Sequence, residues 1–228
     1  MKKLLSLLLA LSFVCGLAAC GADKSAAPAE STKNQTTAAG GTSQSEAVNT
    51  GDKKILTVYF SSANTNTSDA VSSATPRAGD YASTEQLAVF IHEAVGGDMA
   101  KITPVKDYPT DYNGTADQAK QERDADERPE FLPLDVNPED YDVIFVGYPI
   151  WWYTLPMVMY TFFDTYDFSG KTIVPFNTHA GSSDGGTYRE IAEFEPSAVV
   201  LDGLPVAGSR TDAAQEDVQK WLAGLDLD

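Results

Sequence analysis

Residues 141–156, which read YDVIFVGYPIWWYTLP, decide the fold of this chain. Val143 to Val146 form an apolar run rich in β-branched residues, which predicts a strand buried on both faces of a parallel sheet. The run ends at Gly147, two adjacent tryptophans follow, and Pro156 suits the first turn of a helix. The stretch therefore predicts a strand, a tryptophan-bearing turn at its carboxyl end, and a helix.

Trp151 and Trp152 allow two interpretations. In open α/β sheets, ligands bind beside the carboxyl ends of the strands, so two large flat side chains there suit a planar aromatic ligand. Adjacent tryptophans more often plug a core or cover a hydrophobic edge. The stretch alone leaves both interpretations open, and the other loops of the chain decide between them.

The amino terminus has the pattern of an export signal. Two lysines precede an apolar stretch, 4–16, that is too short to span a membrane. The sequence LAAC at 17–20 resembles a bacterial lipobox, which implies cleavage before Cys20 and a diacylglycerol on its sulfur; the alternative is an ordinary secretory signal. We expect residues 1–19 to be a lipoprotein signal peptide and lipidated Cys20 to anchor the protein to the bacterial membrane, outside the cytoplasm.

The rest of the chain divides by composition into two parts. Residues 20–52 are mostly Ala, Ser, Thr, Gly and Gln, and they cannot bury enough apolar surface to fold. We predict that they form a disordered tether. Residues 53–228 have the length and the apolar content of one folded domain.

Cysteine content and charge exclude several classes of function. The chain has two cysteines. Cys15 lies in the predicted signal peptide, and Cys20 is the first residue of the predicted tether. The folded domain therefore has no thiol for a disulfide, for catalysis or for metal binding. The formal net charge of −17 argues against nucleic acid as a partner. We predict no metal site, and no side chain is assigned a catalytic role.

Strands and helices are predicted to alternate through the domain. The predicted strands are 55–60, 99–102, 141–146, 172–176 and 198–201, and the predicted helices are 83–95, 115–125, 156–166, 187–192 and 212–222. The first helix opens on the sequence STEQ, which has the form of a capping box with Ser83 as the N-cap. This alternation predicts an α/β fold, a three-layer doubly wound parallel sheet.

Three loops at the carboxyl ends of predicted strands carry unusual sequences. Loop 61–67 offers hydroxyl and amide donors that suit a phosphate, although such residues also form solvated turns. The tryptophan turn follows the third strand, and a polar, glycine-rich segment, 177–186, follows the fourth. Because the carboxyl ends of parallel strands share one edge, the three loops together favour a ligand site.

These segments resemble the flavodoxin-like family. The resemblance rests on YFS at 59–61, on GYPIWW at 147–152 followed by LP at 155–156, and on PFNTHAGS at 175–182. It spans about residues 54–224. The resemblance implies a five-stranded sheet in the order 2-1-3-4-5 that binds FMN non-covalently.

The resemblance also implies which residues bind FMN. Those of the phosphate loop are Ser61, Ser62, Asn64, Thr65, Asn66 and Thr67. Those of the loop that meets the isoalloxazine are Pro149, Ile150, Trp151 and Trp152. Those of the loop at its other edge are Thr178, His179, Ala180, Gly181 and Ser182. For His179, the alternatives are a hydrogen bond that orients the flavin and a merely structural loop contact.

The phosphate loop departs from the family pattern. The family usually has a glycine at this point and runs directly into the helix, whereas here no glycine follows Ala63 and an insertion intervenes. Ser83 and Thr84, at the start of the predicted helix, are therefore alternative residues for holding the phosphate.

Three functions follow from these features. The first is FMN-dependent electron transfer or flavin-dependent reduction at the outer face of the cell membrane, with a redox protein or a membrane quinone as partner. The second is an NAD(P)H-dependent quinone or FMN reductase. The third is a lipoprotein that uses the fold to bind a non-redox ligand or a protein partner.

Overall fold

The computed structural model describes residues 50–62 and 81–227 of the chain. The strands are β1 (Ile55–Phe60), β2 (Asp98–Ile102), β3 (Val143–Pro149), β4 (Thr172–His179), β5 (Val199–Val200) and β6 (Leu204–Ala207). The helices are α1 (Ser83–Val95), α2 (Tyr112–Asp124), α3 (Met157–Thr165), α4 (Thr187–Phe194) and α5 (Gln215–Ala223). No helix in these two ranges is long and apolar enough to cross a membrane.

All strand pairs are parallel, and the order across the sheet is β2-β1-β3-β4-β5, with β6 also paired to β4. The predicted α/β fold and strand order are therefore confirmed. The signal peptide, the tether and Cys20 lie outside the described residues, except for 50–52 at the end of the tether.

The alternation of side chains along the central strands creates two cores. Leu56, Val58 and Phe60 of β1 pack in a cluster that includes the apolar residues of α3. Ile55 and Tyr59 point to the other face, where α1 and α5 cover them. The same alternation recurs in β3, whose seven residues are all buried. Burial on both faces explains why this strand is apolar throughout its first half.

The fifth position of the sheet is interrupted, which the sequence did not indicate. Val200 pairs with Ile173 of β4, and pairing resumes with Leu204 opposite Phe176. Pro175 lies opposite the gap and has no backbone N–H to donate. Between these two pairs the outer strand advances by four residues, from Val200 to Leu204, whereas β4 advances by three, from Ile173 to Phe176. One residue of the outer strand therefore bulges out. The predicted strand at 198–201 is thus shortened to Val199–Val200, and the second short strand, Leu204–Ala207, was not predicted.

Strand β4 runs three residues further than predicted and ends at His179. Tyr148 and Pro149 of β3 pair with Asn177 and Thr178, and His179 pairs with Ala207 of β6. Asn177 and Thr178 are fully buried in spite of their polarity. The exposed part of the polar, glycine-rich segment therefore begins at Ala180.

Helix α1 begins at Ser83, but the predicted capping box does not form. The N-cap is Ala82, and no side chain makes a cap hydrogen bond. The Ser83 hydroxyl instead donates to the carbonyl of Gly208 at 3.4 Å, in the short 3-10 helix that precedes α5. A tertiary contact has replaced the local one, and the same 3-10 helix delays the start of α5 to Gln215.

The small size of Gly147 is required by the ring of Phe176. A Cβ atom on Gly147 would lie 2.2 Å from Cζ of that ring. We expect Gly147→Ala to lower the free energy of unfolding by about 1–3 kcal/mol, because overpacking forces a buried ring or strand to move. Urea unfolding would measure the change.

Gly224→Ala is the matched control for this prediction. A Cβ atom there would meet no atom nearer than 3.4 Å, and the φ angle of −94° suits any residue. We expect a change within about 0.5 kcal/mol. Equal losses in the two variants would show that the Phe176 ring is not the cause.

Candidate functional site

Strand β3 leads into a tight turn formed by residues 151–154, here called the tryptophan turn. The N–H of Trp151 donates to the carbonyl of Thr154 at 3.0 Å, and the reverse bond measures 3.1 Å. The central residues, Trp152 and Tyr153, have φ angles of 51° and 65°. Left-handed backbone at both positions is typical of a type I′ turn and is unusual for large side chains. Such strain persists only where surrounding contacts hold it, and it concentrates at functional sites.

The two tryptophans have different surroundings. Trp151 is 2% exposed, and its ring meets the rings of Phe60 and Tyr108 edge-on at centroid distances of 5.3 and 4.9 Å. Trp152 is 39% exposed and lines a cavity. The core interpretation of the adjacent tryptophans thus describes Trp151, and the ligand-facing interpretation describes Trp152.

Helix α2 fastens Trp152 in place. The indole Nε1–H donates to the carbonyl of Ala116 at 2.8 Å, and the Arg123 guanidinium lies 5.5 Å from the centre of the indole ring. The helix begins at Tyr112, three residues earlier than predicted, because Asp111 caps it by accepting from a first-turn N–H. The longer helix brings Tyr112 to the cavity.

The buried carboxyl group of Glu122 connects α2 to Tyr108 in the hydrophobic core. Glu122 accepts hydrogen bonds from the hydroxyl of Tyr108 at 2.7 Å and from the amide of Gln118 at 2.8 Å. Burial raises the pKa of Glu122, which favours its neutral form relative to a carboxyl group in water. Because Tyr108 also touches Trp151, the helix, the core and the tryptophan turn are packed as one unit.

A cavity of about 360 Å³ opens between the tryptophan turn, α2 and the loop after β4. It is lined by Tyr112, Ala116, Ile150, Trp152, Tyr153, Ala180, Gly181 and Ser182. Five of these residues were predicted from the sequence. The others, Tyr112, Ala116 and Tyr153, were missed, although an aromatic residue directly after two tryptophans was a signal that could have found Tyr153.

Close backbone approach joins the tryptophan turn to the loop after β4. Gly185 has a φ angle of 62°, and a Cβ atom on it would lie 3.1 Å from the carbonyl oxygen of Tyr153. Ser183 in the same loop is also left-handed, with a φ angle of 57°. Gly185 thus lets the two loops meet, which explains one of the glycines in this segment.

His179 shapes the loop after β4 and is not among the residues that line the cavity. Its Nδ1 atom accepts from the N–H of Gly181 at 3.0 Å, so the proton of the neutral imidazole is on Nε2. Burial lowers the pKa of His179, and the nearby Asp184 carboxylate opposes this shift. The neutral ring is therefore favoured near pH 7, in the form that the Gly181 contact needs.

The predicted phosphate residues lie in two places. Ser61 and Ser62 follow β1 and are buried, and the Ser62 hydroxyl has no hydrogen-bond partner in the described part of the chain. Ser83 and Thr84 begin α1, and their side chains contact Gly208 and Thr178 respectively, the latter at 2.8 Å. The remaining predicted phosphate residues, Asn64, Thr65, Asn66 and Thr67, lie outside the described residues.

The other predicted residues, Pro149 and Thr178, pair with each other across β3 and β4. Both are buried and neither lines the cavity. Within residues 50–62 and 81–227, no group of three or more His, Cys, Asp or Glu side chains is arranged to hold a metal ion.

A carboxylate on α4 holds the far end of the tryptophan turn. Glu190 accepts from the hydroxyl of Thr154 at 3.1 Å and also from the hydroxyl of Tyr160 on α3. Thr154 is the last residue of the turn, so this contact connects the strained backbone to two helices. Glu190 is the natural point at which to test how the turn is held.

We expect Glu190→Ala to lower the free energy of unfolding by about 1.5–3 kcal/mol, because two hydroxyls lose a charged acceptor. Glu190→Gln should lose less, since the amide oxygen still accepts. The matched control is Glu193→Ala on the same helix, which forms an exposed ion pair with Arg189 at 3.7 Å. That change should be about 0.5 kcal/mol or less by urea unfolding. The same loss at both positions would refute this role for Glu190.

Comparison with solved structures finds proteins of the same fold. A protein from Bacteroides uniformis, provisionally described as a flavoprotein, shares 29% identity and a TM-score of 0.59 over 75% of this chain and 97% of its own. A similarly described protein from Bacteroides eggerthii shares 28% identity and a TM-score of 0.54 over 73% and 98% of the two chains. A flavoprotein from Lactobacillus acidophilus, solved in complex with FMN, shares 21% identity and a TM-score of 0.51 over 71% and 97%.

Among curated proteins, no significant match is found. A family model described as Flavodoxin matches residues 54–225, which is most of the chain and nearly the whole predicted domain. The match includes both sides of the cavity, the tryptophan turn and the loop after β4. The chain therefore belongs to the flavodoxin family.

Proposed function

We propose that this protein binds FMN and uses it for electron transfer or flavin-dependent reduction. The observation that carries the proposal is the cavity beside the tryptophan turn, at the carboxyl edge of the sheet, in a chain of the flavodoxin family. Its side chains are aromatic or aliphatic, apart from one serine hydroxyl and two phenols. A cavity of this kind suits a planar ring.

The residues that line the cavity suit the isoalloxazine ring of FMN. Trp152, Tyr153 and Ile150 form one wall, and Ala180 and Gly181 form the other. The walls are held by the contacts of α2 and Glu190 described above, so the cavity needs little rearrangement to receive a ring. A protein of the same fold from L. acidophilus is in complex with FMN, which supports this assignment.

The residues present also fit a phosphate near the carboxyl end of β1. The buried Ser62 hydroxyl lacks a partner in the described part of the chain, which is the state expected of a donor kept for a ligand. The first helical bond of α1 runs from Gln86 to Ala82, so the N–H groups of residues 83–85 precede the helical ladder. Ser83 would contribute its backbone N–H, because its hydroxyl contacts the carbonyl of Gly208.

When bound, FMN supplies reversible one- and two-electron chemistry. The contribution of the chain is to bind the ring between the tryptophan turn and the loop after β4, to keep water from its face and to hold that loop through the His179–Gly181 contact. A redox protein or a membrane quinone is the proposed partner.

The test is a titration of the mature chain, from Cys20 onward and with that cysteine replaced by serine, with FMN. We expect quenching of flavin fluorescence and a shifted visible spectrum at a one-to-one ratio. Trp152→Ala should weaken binding by about tenfold, since loss of an aromatic wall is worth about 1.4 kcal/mol.

Trp221→Phe is the control for the loss of a tryptophan. Trp221 lies on α5, on the opposite face of the sheet, where its indole donates to the carbonyl of Asp202. The variant should bind FMN as the parent does. A folded protein that fails to bind FMN would overturn the proposal and favour the third function, a lipoprotein with a non-redox ligand.

We also propose that the protein is exported and anchored outside the cytoplasm through a lipid on Cys20. The supporting observation is the order of a basic start, an apolar stretch and LAAC at 17–20. In cells fed labelled palmitate, the parent protein should carry label and sediment with membranes. Cys20→Ser should lose the label and leave the membrane fraction. Unchanged labelling and fractionation of the variant would contradict this localisation.

A further inference from the structure

The last residue of β4, His179, can exist in two charge states near neutral pH. The neutral ring has a partner in the loop that follows, because its Nδ1 atom accepts from the N–H of Gly181 at 3.0 Å. A protonated ring carries a hydrogen on both nitrogens, so it cannot accept this bond. The contact between His179 and Gly181 therefore belongs to one charge state of the ring and is lost in the other.

Gly181 is part of the cavity wall opposite the tryptophan turn. It lines the cavity together with Ala180 and Ser182. Its φ angle is 118°, and a Cβ atom placed on it would meet no atom within 4 Å. Steric contacts therefore do not confine this peptide, and a glycine adopts other backbone conformations readily. Within the described residues, the hydrogen bond to His179 is the polar contact that fixes it.

Asp184 gives the protonated ring an alternative partner. Burial lowers the pKa of His179, and the Asp184 carboxylate in the same loop opposes this shift because it attracts the charged imidazole. The loop itself holds that carboxylate, since the N–H of Gly186 donates to Asp184 Oδ2 at 3.1 Å. The two charge states of one side chain thus favour two different contacts within the same loop.

Neighbouring elements bring few charges to this point. His179 pairs with Ala207 of β6, and β3 ends in a proline. Charged side chains in the first turn of α1 and in the short 3-10 helix after β6 form ion pairs, Glu85 with Lys101 at 3.6 Å and Arg210 with Asp217 at 3.4 Å. The same 3-10 helix also carries Asp212. Asp184 is therefore the charge that most affects the His179 ring.

We propose that His179 is a pH-dependent switch for this wall of the cavity. The neutral imidazole holds the Gly181 peptide in place, whereas protonation releases the peptide and draws the ring towards Asp184. The wall is therefore held at neutral and higher pH and released in acid. This inference rests on the proposed function in one respect, because the released wall is expected to bind the flavin ring more weakly.

The first measurement is an NMR titration of the FMN-free mature protein from pH 8 to pH 5. Burial lowers the pKa of His179 from its ordinary value of 6.5, so we expect its imidazole signals to titrate below that pH. The Gly181 amide signal should move with the same midpoint, because the bond to Nδ1 is lost in the same step. The chain has two histidines, and His92→Gln identifies the signals of the other one. A Gly181 amide that does not follow the imidazole would overturn the inference.

The second measurement compares the affinity for FMN at pH 8 and pH 5 in the parent and in His179→Asn. An asparagine carbonyl can accept an N–H two residues further on, as His179 Nδ1 does, but it does not titrate. The FMN phosphate, with a pKa of about 6, and Glu195, whose pKa burial raises to about 7, also titrate in this range. Both are common to parent and variant, so the variant supplies the baseline. We expect the affinity of the parent to fall about three- to tenfold more, the effect of one lost hydrogen bond.

His92→Gln is the matched control. His92 lies in the last turn of α1, which ends beside the first residue of β1 and away from the cavity. This variant should keep the pH dependence of the parent. Equal pH dependence in the parent and in His179→Asn would overturn the inference, as would its loss in His92→Gln. A folded protein that binds no FMN at either pH counts against the proposed function alone, because the linked titration of His179 and Gly181 is measured without FMN.

Discussion

Trp152 and Tyr153 are two consecutive large residues in left-handed backbone, a conformation that costs roughly 1–3 kcal/mol per residue. The strain is sustained by contacts from three directions. Helix α2 accepts the indole N–H, Glu190 on α4 binds the last residue of the turn, and Gly185 lies against the carbonyl of Tyr153. The cavity exists because these contacts hold one wall away from the core, so the helices around the sheet serve the site as well as the fold.

The division of roles between the two tryptophans follows from the same turn. Because the chain reverses at Trp152, the preceding ring remains in the core against Phe60 and Tyr108, while the next one faces outward. Two identical neighbours in the sequence therefore have opposite environments. A turn built this way connects the packing of the interior to the shape of the binding surface, since adjacent residues of one tight turn carry the two rings.

The sequence predicted the sheet well, because burial leaves a direct mark on composition. The apolar runs of β1 and β3 and the alternation of strands with helices were enough for the fold class, whereas the strand order was predicted only through the resemblance to the flavodoxin-like family. The site was predicted only in part. Tyr112 was missed because it reaches the cavity through the longer α2, and the buried, polar Asn177 was taken for loop. The capping box at Ser83 failed because the hydroxyl bonds to Gly208, a residue 125 positions away. These features depend on tertiary contacts that local patterns do not contain.

Both edges of the sheet are unsuited to pairing with another chain. At one edge, β2 carries the charged residues Asp98 and Lys101, and the strand continues into a bridge between Pro104 and Phe131. At the other edge, the bulge opposite Pro175 divides the outer strand into two pieces of two and four residues. A strand from a second copy would need a long, regular row of free backbone groups, and neither edge offers one. The interruption of the fifth strand therefore acts against edge-to-edge aggregation and favours a domain that does not self-associate through its sheet.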